Sequence, residues 1–246
     1  KWLFEFIGKS KVPIMNSAGG TEVSGSILHC CLHRPFKVGS FNAPIPGMSA
    51  DIVDQKGKKV STNQMGELIM RKSSIGLTKS LWEDDDRYIK NYWNIIQGVW
   101  VHGDLASKDK DGHWYLHGRS DDTIKVSGKR IGPSELESII VKSGKVKEVA
   151  AVGVPDENKG SKIILSIVLL NTEKNLKEDF FSDLIVKDLG KSFKPDKVIF
   201  VKDLPKTRNM KIMRRIIKSC LIKEDPGDIS TLLNPESVEE IKDHAI

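Results

Sequence analysis

Residues 118–138 read GRSDDTIKVSGKRIGPSELES, and the pattern of the chain changes across this stretch. Upstream, from about residue 38, short apolar runs alternate with turn residues: SADIVD (49–54), GELIMR (66–71), GVWVHGDLAS (98–107) and HWYLHG (113–118). Runs of this length bounded by Gly, Asp and Lys predict strands, and the Asp111–Gly112 pair predicts a hairpin between the last two. Downstream, helix and strand alternate. GPSELESIIVKSG (132–144) carries Pro133 where a first helical residue is tolerated, Glu135 and Glu137 near the positive end of the dipole, and Gly144 as a stop, so it predicts a helix. EVAAVGVP (148–155) and IILSIVLL (163–170) read as buried strands. NLKEDFFSDLIVKDLG (175–190) places Leu176, Phe180, Leu184 and Leu189 on one helical face; DKVIFVKDLP (196–205) reads as another strand and KIMRRIIKSCL (211–221) as a closing helix. The shift puts a domain boundary near residue 120, inside the quoted stretch. Taken alone, its crowd of opposed charges around Ile124 and Val126 is what a mixed-charge surface strand would look like.

The remaining segments give weaker signals. WLFEFIGK (2–9) reads as part of an amphipathic helix, SAGGTEVSG (17–25) as a loop, and Glu83 to Trp93 as a helix led by acids; the tail after EDPGD (224–228) reads as surface-bound or loosely ordered. With 39% hydrophobic and 29% charged residues, the 246-residue chain has the composition of a globular protein of one large or two modest domains. No apolar run reaches the roughly 18–20 residues a membrane span needs, and the opening lacks a signal-peptide pattern, so a soluble cytoplasmic protein is expected. Three cysteines without CxxC spacing argue against a disulfide framework or a zinc site. A net charge of +6 favours phosphate-bearing partners. Neither GxGxxG nor GxxxxGK[ST] is present. The chain opens on Lys1, not methionine, and is expected to belong to something longer.

Four motifs occur in order: GGTE (19–22), HGD (102–104), GRSDD (118–122) and PKTRNMK (205–211). In this order and spacing they resemble the adenylate-forming enzymes, which include acyl-CoA synthetases, luciferases and adenylation domains. GRSDDTIKVSGKRIGPSELES, LPKTRNMKIMRR and the tail EDPGDISTLLNPESVEEI resemble the acetyl-CoA synthetase-like branch. The resemblance implies an α+β architecture. Residues 1–120 would be the end of a large AMP-binding domain with a small β-barrel subdomain, 121–225 a small mobile C-terminal domain, and 226–246 a tail.

It also implies chemistry: a carboxylate attacks the α-phosphate of ATP with release of pyrophosphate, and the thiol of coenzyme A then displaces AMP. Two anions must meet, so cations are required. By resemblance Lys211 is the catalytic lysine of adenylation, Asp104 accepts from the ribose hydroxyls, Arg119 contacts ribose and phosphate, and Gly20, Thr21 and Glu22 line the nucleotide, with Glu22 also a ligand of Mg²⁺. Asp121 takes the hinge position, Ser127, Gly128 and Arg130 the coenzyme A face, and Gly19 the acyl pocket. The charges of 118–130 would serve two domain positions in turn, so a single structure is expected to leave some of them unsatisfied.

There are departures. Asn209 and Met210 stand where Ser-Gly is usual, and Gly19 replaces the tryptophan that closes the pocket of acetate-specific relatives, which implies an acid longer than acetate. The family's Ser/Thr/Gly-rich phosphate loop would lie upstream of Lys1, so the chain alone is expected to be inactive and to need that N-terminal portion. The main reading is thus an AMP-forming acyl-CoA ligase acting on a short- or medium-chain acid. A pseudoenzyme that keeps nucleotide or coenzyme A binding is one alternative. A basic nucleic-acid-binding module using KVSGKR and KIMRRIIK is another, weakened by the lack of aromatic residues among those charges.

Overall fold

Period-two alternation dominates the first half of the chain and becomes two antiparallel sheets there. The computed structural model describes residues 1–173 and 176–246, and its contacts divide into two units, Lys1–Ser120 and Asp121–Ile246. The architecture is mixed α and β.

In the first unit β1 (Ser17–Gly20), β2 (Gly25–His29) and β3 (Ala43–Pro44) form one sheet. The strands β4 (Ala50–Val53), β5 (Gly66–Met70), β6 (Trp100–Lys108) and β7 (Trp114–Arg119) form another in sequential order. Both sheets are open, and no closed barrel is seen among the described residues. Residues of both fill one core: Ile27 and Leu28 from β2, Ile52, Leu68, Met70, Trp100 and Trp114 from the larger sheet. The expected hairpin over Asp111–Gly112 is present, with Gly112 at φ 89°.

SAGGTEVSG is not simply a loop: Ser17–Gly20 pairs with Gly25–His29 across a bulge between Ala18 and Gly19. Small residues are needed because a Cβ on Gly19 would overlap the Gly25 carbonyl and Ser26 backbone. The opening amphipathic helix is a single π-helical turn, Leu3–Ile7, with none of its residues buried. The helix expected over 83–93 is a short α1 (Asp85–Tyr88) continued by a π-turn over Ile89–Trp93. The Asp84 side chain accepts from the Arg87 amide and caps it.

The second unit is built on β10 (Val146–Asp156), β11 (Gly160–Leu169) and β12 (Lys197–Phe200), preceded by the small hairpin β8 (Ile124–Val126) and β9 (Lys129–Ile131). β10 and β11 are antiparallel, whereas β11 and β12 are parallel and joined through α3 (Glu178–Leu189). Asn175, which opens the stretch read as this helix, lies outside the described residues. The near-continuous apolar runs of β10 and β11 follow from burial on both faces. Ala150, Val152, Val154 and Ile164 face α4 (Arg214–Leu221) and α5 (Ser237–Lys242). Their neighbours Val149, Ala151, Ile163, Leu165 and Ile167 face α3, the hairpin and α2 (Pro133–Lys142). Pro133 sits in the first turn of α2, and Gly144 beyond its end has φ 67°.

The tail expected to lie loosely on the surface instead completes this core. Leu232, Val238 and Ile241 are buried, and the Ile246 amide donates to the Leu221 carbonyl at 2.9 Å. Among the described residues no helix is long and apolar enough to cross a membrane.

Candidate functional site

In the first unit, residues far apart in sequence meet because of strand register. Asp104 on β6 and Arg119 on β7 are directly paired across the ladder, next to a bulge between Asp104 and Ala106. The guanidinium lies over Gly103, where a Cβ would come within 2.7 Å of Arg119 Nη2. This close approach, together with φ 85°, explains the glycine of HGD. Arg119 Nη1 donates to the His102 carbonyl at 3.1 Å and stands 4.0 Å from Asp104 Oδ1. His102 is buried, and its Nε2 lies 3.2 Å from Asp104 Oδ2.

From His102 the cluster continues through aromatic rings. His102 packs on Trp100 with centroids 5.6 Å apart, and Trp100 stacks on Tyr92 at 5.4 Å with an interplanar angle of 9°. The Tyr92 hydroxyl donates to Glu22 Oε1 at 2.9 Å. Burial, reinforced by the Glu22 carboxylate that accepts this proton, pushes the Tyr92 phenol up from its ordinary value. Gly20 closes the loop: a Cβ there would lie 3.0 Å from Glu22 Oε2 and 3.3 Å from His102 Cε1. Its φ of −161° is ordinary extended backbone, so space, not conformation, calls for glycine. Thr21 is exposed at the start of the turn that carries Glu22. Gly20, Glu22, Asp104 and Arg119 are therefore brought together, with Thr21 alongside. Gly19 belongs to the strand bulge, where backbone packing already demands glycine.

Glu22 offers a single carboxylate with Oε2 free of the tyrosine bond. That matches the usual protein share of a magnesium site, in which one or two carboxylates act with substrate phosphates. Among the described residues no group of three or more His, Cys, Asp or Glu could hold a metal by itself.

In the second unit, Asp121 is the first residue. The adjacent Asp122 stands 3.8 Å from Arg214 Nη1, and Arg214 grips Glu137 by two bonds of 2.8 and 2.7 Å. Glu137 Oε1 also accepts from the Ala151 amide, so this clamp ties α4, α2 and β10 beside the start of the unit. Burial pushes the Arg214 guanidinium down, but the Glu137 carboxylate outweighs it and the net shift is upward. Ser127 and Gly128 are the two-residue loop of the β8–β9 hairpin, with φ 48° and 80°. Two positive φ values in such a loop match the twist of the flanking strands and explain Gly128. Arg130 follows on β9, exposed and paired in register with Lys125. The groups of 118–130 are not left idle here: Asp122 faces Arg214 and Lys129 Nζ donates to Ser192 at 3.1 Å.

Lys211 is exposed and ends a tight turn. The Thr207 amide donates to the Lys211 carbonyl at 3.0 Å and the Met210 amide to the Thr207 carbonyl at 2.8 Å. Met210 adopts φ 62°, the left-handed region where glycine is favoured. The sequence reading gave no role to Tyr92, His102 or Lys206. HGD and PKTRNMK contain two of them, but nothing in a motif signals that His102 and Lys206 are buried. Tyr92 carries no motif at all.

Residues 135–211 match the family described as AMP-binding enzyme C-terminal domain. The chain is 38% identical over 250 residues to an acetyl-coenzyme A synthetase of Methanothrix soehngenii, covering 98% of this chain and 37% of the relative. It is equally identical over 252 residues to an acetyl-coenzyme A synthetase of Pyrobaculum arsenaticum, with the same coverage. Among solved structures, the acetoacetyl-CoA synthetase from Streptomyces lividans superposes with a TM-score of 0.84 at 23% identity, over 98% of this chain and 38% of that one. At that identity the likeness concerns fold. Fold and sequence together define a C-terminal region of an adenylate-forming, AMP-binding protein. Within that class the chain is similar over nearly its whole length to acetyl-coenzyme A synthetases. It spans somewhat more than a third of the length of the curated relatives it matches.

Proposed function

We propose that the chain forms part of an AMP-forming acyl-CoA ligase that activates a short- or medium-chain carboxylic acid through an acyl-adenylate. Residues 1–120 would close the large AMP-binding domain with its barrel-like subdomain, and 121–246 would be the mobile C-terminal domain. The observation that carries this reading is the convergence of Gly20, Glu22, Asp104 and Arg119 on one cluster, held by strand register and an aromatic stack.

In adenylation an oxygen of the acid forms a bond to the α-phosphorus while the bond to the leaving pyrophosphate breaks. Asp104 would accept from the ribose hydroxyls, its second oxygen steadied by His102. Arg119, laid flat by Gly103, would face ribose and phosphate. Glu22 would hold the magnesium ion that offsets phosphate charge, and the Tyr92 bond would keep that carboxylate oriented. Thr21 would add a hydroxyl. Lys211 supplies a compact, mobile positive charge between acid and α-phosphate, which suits a residue needed in one half-reaction only. In the second half-reaction the coenzyme A thiol adds to the carbonyl and AMP leaves. Ser127, Gly128 and Arg130, on an exposed hairpin tip, would border the pantetheine arm and its phosphates, with Asp121 as the hinge.

Gly19, having no side chain, supports an acid longer than acetate. Because a Cβ there overlaps the backbone of β2, Gly19→Trp would disturb the strand pairing itself. Rates for acetate, butyrate and hexanoate on the unaltered enzyme are the cleaner test; strict acetate preference would end the longer-chain reading. The phosphate loop would come from the rest of an enzyme of the relatives' length, so the 246-residue chain alone should give no ATP–pyrophosphate exchange.

The decisive experiment uses the full-length enzyme, this chain preceded by a phosphate-loop segment. Lys211→Ala should lower ATP–pyrophosphate exchange by at least about 100-fold and leave thioester formation from supplied acyl-adenylate within about twofold. Equal loss in both half-reactions would contradict the assignment.

A further inference from the structure

The turn that ends in Lys211 makes few contacts of its own. Arg208, Asn209, Met210 and Lys211 are all exposed, and the described bonds of the turn run among its own members, from Met210 and Lys211 to Thr207. Its base is different. Lys206 is only 4% exposed, rare for a lysine, which is almost never fully buried unless paired. Its Nζ donates to both oxygens of Glu148 on β10, at 2.9 and 2.8 Å, and to Asp203 Oδ1 at 2.7 Å. Asn234, in the C-terminal segment, completes the group. Its amide nitrogen donates to Asp203 Oδ2 at 2.7 Å and to the Leu204 carbonyl at 2.8 Å, while its oxygen accepts from the Lys206 amide at 3.0 Å. The Lys206 carbonyl accepts from the Leu233 amide at 2.8 Å, and Thr207 forms a bridge to Leu232.

Both the side chain and both backbone groups of Lys206 are thus fixed immediately before the turn begins. We propose that buried Lys206 and Asn234, with the half-buried Glu148 and Asp203, form a positioning cluster that aims the Lys211 turn, and that the C-terminal segment carrying Asn234 is therefore a working part of the adenylation half-reaction. This rests on the reading of Lys211 as the adenylation lysine.

Three physical points carry it. Buried ion pairs contribute little net stability compared with apolar packing, so their best-attested use is to specify one arrangement. Here the arrangement specified is the start of a turn, because each bond ends on Lys206 or on a residue that itself bonds to it. A reacting group displaced by about 1 Å loses on the order of 100-fold in rate, so a turn anchored only at its base depends on that base. Burial pushes the Lys206 ammonium down, yet Asp203 and Glu148 more than reverse this, and the shift is upward. The lysine remains a charged tether.

Asn234→Ala and Asp203→Asn are the informative variants, since each leaves Glu148 to neutralise Lys206. In the full-length enzyme each should lower kcat for ATP–pyrophosphate exchange about tenfold with KM for ATP unchanged, leave thioester formation from supplied acyl-adenylate within about twofold, and speed amide hydrogen exchange at Met210 and Lys211. Lys211→Ala runs in parallel. If Lys211→Ala keeps exchange activity, the parent reading fails and this one with it. If Lys211→Ala abolishes exchange while both cluster variants retain it, the parent reading stands and the positioning role is overturned. An equal fall in both half-reactions, or a melt of the second unit in both variants, also overturns it, because the cluster is then general scaffolding.

Discussion

The two units hold their candidate groups by opposite means. In the first, Asp104 and Arg119 are fixed by a strand ladder, and Glu22 is tied through Tyr92 to a stack of rings ending at His102. In the second, Lys211 rides on an exposed turn, and ion pairs lie one step back, at buried Lys206 and half-buried Arg214. A nucleotide held through a whole reaction calls for groups that do not move. Under the proposed function, a lysine needed in one half-reaction can sit on a short turn, provided its base does not move. The composition follows the same division: all five tryptophans and all three tyrosines fall in residues 1–120, and none in the second unit.

That division makes the comparison breakable by spectroscopy. Arg214→Ala leaves Glu137, with its side chain 13% exposed, without its bidentate partner. Loss of one member of a buried pair costs about 3 to 5 kcal/mol, and because Arg214 is itself a quarter exposed, about 2 to 3 kcal/mol is expected. The loss should appear in far-UV circular dichroism of the helices, at lower denaturant, while tryptophan fluorescence, which reports the first unit alone, keeps its midpoint. Coincident shifts in both signals would mean that the two units do not unfold separately.

Tyr92→Phe addresses the other side. It keeps the ring stacked on Trp100 and removes only the bond to Glu22, so stability should fall by about 1 kcal/mol. In the full-length enzyme the KM for Mg·ATP should rise several-fold, with the thioester half-reaction unchanged. If KM stays put, the stack is packing alone and Glu22 needs no orienting partner.

Legibility in the sequence followed how local the cause was. Pro133 and Gly144 bounded a helix because each acts through its own backbone, and the apolar runs of β10 and β11 announced burial on two faces. Ser17–Gly20 was read as a loop because residues this small carry no periodicity; its strand pairing with β2 leaves no room for a side chain at Gly19. The C-terminal segment was misread because Leu232, Val238 and Ile241 are too sparse to register as a pattern, although each finds the core. The site motifs marked Glu22, Asp104, Arg119 and Lys211 as candidates through a family resemblance. The contacts proposed to orient or anchor them span 58 residues for Lys206 with Glu148 and 70 for Tyr92 with Glu22, distances over which a sequence shows no pairing.

The smallest expected effect concerns the turn itself. Met210 sits at φ 62°, where a residue with a Cβ is disfavoured by roughly 1 to 2 kcal/mol. Met210→Gly should remove that strain, but the more flexible unfolded chain returns about 0.4 to 1 kcal/mol of the gain. The net is a stabilisation of about 0.5 to 1 kcal/mol, read as a higher denaturation midpoint of the second unit. Asn209→Gly next door provides the control. Asn209 has no positive φ to relieve, so its substitution brings only the entropic loss and should lower the midpoint. Opposite signs at adjacent positions would locate the strain in the backbone of Met210. Equal signs would mean that the turn relaxes in solution and that its base, not its conformation, sets where Lys211 points.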